Sequence, residues 1–273
     1  MAYAFPGDGS LDYMPCRYGR SRLMFRGPRR DVTGRYVAVL GGIETYGRYI
    51  PQPYAQLTED GLDLPVVNLG CPNAGPDAWL SDPAVMEVVT RAAAVVVQLP
   101  GASDLTNRMY SVHQRRNDRF LRASAVLRAI YRGVDFTDFS FTRHMLRTLF
   151  EAGPERFALV AEELRTAWTA RMLSLMAQVP GRRVLLWVGE RPPGPRRDAP
   201  MGEPLLVDAA MVERVAEQAD ALVIAVPSAA ARLQGTRGMV FPELSEPAAR
   251  GLPGVAAHRE MAEALLPVLR GLL

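Results

Sequence analysis

The chain has 273 residues, with 32 Lys+Arg against 29 Asp+Glu, 48% hydrophobic residues, a net charge of +3, two cysteines and three histidines. Every basic residue is arginine. This excludes Schiff-base and pyridoxal-phosphate chemistry, a lysine general base, a Ser-Lys dyad and a P-loop lysine. Cys16 and Cys71 are too far apart for a zinc knuckle or redox pair, and His113, His144 and His258 show no metal-binding spacing. No metal and no organic cofactor is implied.

Residues 1–35 read as an irregular arm packed over the main domain. Gly7, Gly9, Pro15, Gly27, Pro28 and Gly34 punctuate it, and seven arginines fall between Arg17 and Arg35. It shows no basic start followed by an apolar run, so no secretion signal is expected. No stretch approaches the 18 or so apolar residues of a membrane span. Two cysteines in a chain of this length suit a reducing cytoplasm.

Residues 36–273 are expected to form one domain. Residues 36–42 (YVAVLGG) are a short apolar run ending in glycines and predict a buried strand. Helical spacing follows over 49–60. Residues 65–70 (PVVNLG) predict a second strand, 83–92 a helix and 92–100 (AAAVVVQLP) a third strand. A helical insert over about 115–180 comes next, with helices at 117–131, 138–151 and 154–179. Residues 183–189 (RVLLWVG) predict a fourth strand, 191–200 (RPPGPRRDAP) a mobile surface loop and 211–217 a helix. Residues 221–227 (ALVIAVP) predict a fifth strand, and 259–273 a closing helix. None of the strands alternates apolar with polar, so each is expected to be covered on both faces. The order argues for a three-layer α/β domain with a doubly wound parallel five-stranded sheet.

In such a sheet ligands bind beyond the carboxyl ends of the strands. The loops placed there contain Gly42, Ile43, Glu44, Gly70, Asn73, Gly101, Ser103, Asn107 and Arg108. Converging glycine-bearing loops make a cleft for a small-molecule ligand, and these nine residues are its candidates. The loop after the first strand is not a dinucleotide fingerprint, and the chain has neither a Walker A sequence nor a G-x-S-x-G elbow.

The loop 41–47 (GGIETYG) resembles the first block of the SGNH, or GDSL-type, hydrolases, Gly-Asp-Ser-x-Thr-x-Gly, with Gly41, Thr45 and Gly47 matching. Asn68-Leu69-Gly70 is similar to the second block, which makes Gly70 the oxyanion-hole glycine. Gly101-Ala102-Ser103-Asp104 is similar to the third, with Ser103 replacing an asparagine. Leu252-Pro253 with His258 keeps the spacing of the last block. The arm segment 12–19 (DYMPCRYG), Asn107-Arg108, 113–120 (HQRRNDRF) and 141–144 (FTRH) resemble an uncharacterised bacterial family of this kind. The resemblance implies an SGNH, flavodoxin-like fold and ester-bond chemistry.

The replacements alter that implication. Ile43 stands at the nucleophile, Ala249 at the aspartate and Leu252 at the histidine. Isoleucine cannot attack a carbonyl and leucine cannot accept a proton, so the ordinary triad mechanism is excluded on this alignment. A rebuilt site would use Ser103 as nucleophile, His258 or His113 as base and Asp104 as its orienter. Each has a plainer reading. His258 can be a packing residue at the start of the last helix, and Asp104 can cap a turn. Glu44 is either a general acid or a helix cap. His113 and His144 read first as local hydrogen-bonding residues.

Two arginine clusters, Arg17, Arg20, Arg22 and Arg26, then Arg115, Arg116, Arg119 and Arg122, are suited to grip an anion. The plainer reading pairs them with Asp12, Asp31, Asp118, Asp135 and Asp138. The near-neutral charge argues against a nucleic-acid surface. A stripe of Trp168, Met172 and Met176 on the long helix offers a seam for a homo-oligomer. Three functions fit these residues: a hydrolase-like protein that binds a small acylated or anionic ligand without ordinary esterase turnover, a hydrolase or group-transfer enzyme rebuilt around Ser103 and Asp104, and a structural or interaction protein.

Overall fold

A computed structural model of the chain describes residues 10–273. The first nine residues of the expected arm, with Gly7 and Gly9, lie outside the described residues. The strands are β1 (Val37–Gly41), β2 (Val66–Gly70), β3 (Ala94–Gln98), β4 (Tyr110–His113), β5 (Arg116–Ala123), β6 (Arg182–Val188) and β7 (Ala221–Ala225). The helices are α1 (Ile43–Tyr46), α2 (Tyr54–Gly61), α3 (Pro76–Leu80), α4 (Pro83–Arg91), α5 (Ala125–Ile130), α6 (Thr142–Ala152), α7 (Pro154–Ala177), α8 (Ala209–Ala216), α9 (Ala229–Gln234), α10 (Glu246–Arg250) and α11 (Val255–Leu272).

Five strands form one parallel sheet in the order β2-β1-β3-β6-β7. Alternate side chains feed two cores. Ala38, Leu40, Val95, Val97, Leu185 and Trp187 pack with α3, α4, α6, α7 and α8. Val37, Val39, Val96, Val184 and Leu186 pack with α2 and α11. Burial on both faces is why the strand sequences are continuously apolar. Strand β7 is the exception: it lies at the sheet edge, and Ile224 is 45% exposed.

Helix starts are set by local chemistry. Asp82 accepts from the N–H groups of Ala84 and Val85 at the start of α4, which has Pro83 in its first turn. Its other oxygen accepts from Ser21 Oγ at 2.8 Å and Arg22 N–H at 3.1 Å, which ties the arm to the helix. Tyr18, Leu23 and Phe25 of the arm are buried in the larger core.

Two expectations are corrected, the helix over 117–131 and the seam on the long helix. The segment expected as a helix over 117–131 begins as an antiparallel hairpin, β4-β5, and only Ala125–Ile130 is helical. The buried positions of β5 are Asn117, Phe120 and Ala123, a spacing of three. Register shifts in the hairpin break the strand period and imitate a helical one. The loop 191–200 lies at the surface, as expected, and is tethered at three points: buried Arg165 donates to Asp198 and to the Arg197 carbonyl, each at 2.7 Å, and Trp187 Nε1 donates to the Arg191 carbonyl. Trp168, Met172 and Met176 are fully buried in the larger core, so they offer no seam to a second subunit. Among the described residues no helix is long and apolar enough to cross a membrane.

Candidate functional site

A cavity of about 500 Å³ opens at the carboxyl ends of β1, β3 and β6. Its wall takes Gly42, Ile43 and Glu44 from beyond β1, Asn73 from beyond β2, and Gly101, Ser103 and Asp104 from beyond β3. Asp118 of β5, Thr142 to His144 and Arg147 of α6, and Glu203 close the remaining side. The loop after β3 is held from outside by Trp168, whose indole N–H donates to the Pro100 carbonyl at 2.8 Å.

Gln98 organises the β1 side. It is the polar residue at the end of an otherwise apolar strand and is almost fully buried. Its Oε1 accepts from the Gly42 and Thr45 N–H groups at 3.2 Å and from Thr45 Oγ1 at 2.5 Å. Its Nε2 then donates to Glu44 Oε2 at 2.7 Å, so the amide has one orientation and fixes the carboxylate at the wall. Gly41 permits this approach: a Cβ there would collide with Thr45 Oγ1 and Gln98 Oε1.

The opposite side is acidic. Asp104 Oδ1 accepts from Ser103 Oγ at 2.7 Å and from Thr142 Oγ1 at 3.0 Å. Burial pushes the Asp104 carboxyl above the ordinary aspartate range, against the lowering effect of these two hydroxyls. Asp118 Oδ1 is buried without a hydrogen-bond partner among the described residues. Arg143 is ion-paired with Glu203. His144 stands edge-on to Phe139 at 5.2 Å.

The cavity therefore contains Gly42, Ile43, Glu44, Asn73, Gly101, Ser103 and Asp104 of the sequence-derived candidates. Four others lie elsewhere. Gly70 N–H is taken by Asn68 Oδ1 at 2.8 Å, which leaves it no free donor for an oxyanion. Asn107 folds its own turn, accepting from the Met109 and Tyr110 N–H groups. Arg108 pairs with Glu163 at 2.5 Å. His258 is sealed in the smaller layer, where its Nδ1 accepts from Tyr54 N–H at 3.1 Å, and burial lowers its pKa to about 3. Ala249 and Leu252 also lie outside the cavity wall.

Sequence reasoning missed Gln98, Asp118, Thr142, Arg143, Arg147 and Glu203. A lone glutamine closing the apolar run 92–100 is a readable signal, since a buried amide must be bonded to something. The start of α6 entered only through the resemblance of 141–144, which did not place it at the site, because only the folding of the insert brings it to the sheet edge.

Fold and site define an α/β protein with a polar cavity at the carboxyl edge of a parallel sheet. The chain belongs to the family described as "Domain of unknown function (DUF6473)", which it matches over residues 1–273. Among curated proteins, none matches it in sequence. Solved structures similar to it include two hydrolases. An extracellular lipase from Streptomyces rimosus has 13% identity and a TM-score of 0.46, covering 88% of this chain and 100% of that one. LAE5, an alpha/beta hydrolase enzyme from the metagenome of Lake Arreo, Spain, has 16% identity and a TM-score of 0.39, covering 88% and 97%. Neither likeness is deep enough to carry a reading of the site.

Proposed function

We infer that the protein is a hydrolase-like protein of SGNH type that binds a small polar ligand in this cavity without serine-esterase turnover. One observation carries the reading. Ile43 forms the wall directly beyond β1, the hydroxyl of Ser103 is bound to Asp104, and His258 is sealed away from both. The motif's own base and oxyanion positions, His258 and Gly70, are thus not assembled with a nucleophile in one place, and the histidine that does line the cavity, His144, stands against Phe139. Cys71 offers no substitute, since burial pushes its thiol up to about 11. The strand order, with the loops of β1 and β3 meeting at one cavity, supports the SGNH assignment. Residues 36–273 are read as its one domain, with the insert supplying Asp118 and the α6 wall.

The ligand follows from the wall. The acceptors on Asp104 and Asp118 call for hydroxyl or amine donors, and Arg147 and His144 suit an acyl or anionic group. The free thiols of Cys16 and Cys71 support a reducing compartment such as the cytoplasm.

The test is intact-mass analysis after incubation with a fluorophosphonate, with heat-denatured protein as control. No adduct on the folded protein is expected. A single adduct on Ser103 of the folded protein only would overturn this reading. It would favour the rebuilt enzyme, for which the Ser103–Asp104 hydrogen bond is the supporting contact.

A further inference from the structure

A second cleft, of about 820 Å³, lies between the arm and the β4-β5 turn and shares Asn73 with the first cavity. Its wall gathers Arg22 of the arm, Arg48 beyond α1, and Arg115 and Arg116 of the hairpin. The plainer account of the arginine clusters is neutralisation by nearby aspartates, and the contacts here meet it only in part. Among the described residues, only Arg116 of the four has a carboxylate partner, Asp118 at 3.4 Å. Arg48 lies over the Tyr49 ring at 4.9 Å. Among the described residues no carboxylate pairs with Arg22 or Arg115. Asp12, the acidic residue of the wall, accepts from Met14 N–H, while Asp31 and Asp135 bond within their own turns.

Four guanidinium groups from three separate segments meet two carboxylates there, Asp12 and the Asp118 partner of Arg116, so the wall keeps a positive excess that favours an anion. Of the other polar groups of the wall, Asp12 accepts, while Asn73 and His113 can donate. His113 Nδ1 accepts from Arg115 N–H at 3.3 Å, so Nε2 is the nitrogen with which this ring can donate. The rest of the wall is apolar or aromatic and includes Tyr13, Leu23, Met24 and Pro72. Such a lining suits an organic body as well as a charged head.

We propose that this cleft binds a small organic phosphate, held by Arg22, Arg48, Arg115 and Arg116, at a site separate from the first cavity. Guanidinium groups grip phosphate oxygens in pairs, and a ligand carrying two or more negative charges matches the unpaired arginines.

The test is isothermal titration with ADP, inorganic pyrophosphate, citrate and a short single-stranded oligonucleotide. Wild type is compared with Arg22→Ala, Arg115→Ala, Arg147→Ala and, as a charge control, Arg250→Ala. The expected result is one-to-one binding of ADP, weakened by added salt and by about tenfold or more in each of the first two variants. The charge control should bind within about twofold of wild type. Arg22 and Arg115 are exposed, so the variants keep the fold, and their melting curves verify this. No binding of ADP or pyrophosphate overturns the proposal. Loss in Arg147→Ala without loss in Arg22→Ala places the anion in the first cavity and also overturns it. So does equal loss in the charge control, citrate binding tighter than ADP, or oligonucleotide binding tighter than ADP.

Discussion

His258 Nδ1 and the backbone N–H of Tyr54 are joined by a 3.1 Å hydrogen bond, and the two rings stack at 5.9 Å between centroids. The imidazole is an acceptor there and must stay neutral. Below about pH 6.5 the unfolded chain takes up a proton that the folded protein refuses. Stability is therefore complete above that value and falls as the pH drops toward about 3, by up to roughly 1.4 kcal/mol per pH unit. Urea denaturation at about pH 4, 5 and 7 measures this slope. His258→Gln, which can still accept from Tyr54, is expected to reduce it.

Asp104 contributes with the opposite sign. Its carboxyl is raised by burial, so the folded protein holds the proton to a higher pH than the unfolded chain. Stability from this group is complete below the ordinary aspartate value and is lost as the pH rises through the raised one. Asp104→Asn keeps an acceptor for Ser103 and Thr142 and removes the charge. Its thermal melts should lose this part of the pH dependence and show no large loss near neutrality.

Asn117 is fully buried and joins the hairpin to the loop after β2. Its Oδ1 accepts from Gly75 N–H at 2.7 Å and Ala78 N–H at 3.2 Å, and its Nδ2 donates to the His113 carbonyl at 3.0 Å. Asn117→Ala leaves these groups without partners and should cost about 2–4 kcal/mol. Chemical denaturation measures it. Asn117→Asp keeps the acceptor side only and should also be destabilised.

Ile43→Ser restores a hydroxyl at the nucleophile position of the resembled motif. It is expected to leave the protein inert to fluorophosphonates, because His258 is held by Tyr54 and no aligned base comes with the substitution. Efficient labelling of the introduced serine in that variant would show that a working base, such as His144, already faces the position.

The parallel sheet was legible because both of its faces are covered, and continuous apolar runs such as 92–100 report that directly. The hairpin was not, because the register shifts around Val112 put Asn117, Phe120 and Ala123 at helical spacing. At the site, the loops after β1 and β3 were legible from their position in the fold. The wall from α6 was not, since contact between Thr142 and Asp104 depends on how the insert folds back. His258 kept the motif spacing, yet its burial beneath α2 is a tertiary fact that spacing does not encode.

The sheet divides the protein into two cores of unequal size, the smaller resting on α2 and α11. Local opening follows the least-anchored surface. Hydrogen exchange in the native state should therefore release the amides of α2 and α11 before those of α4 and α7. An early opening of that layer would bring water to His258 while the carboxyl-edge cavity, walled largely from the opposite core, stays closed.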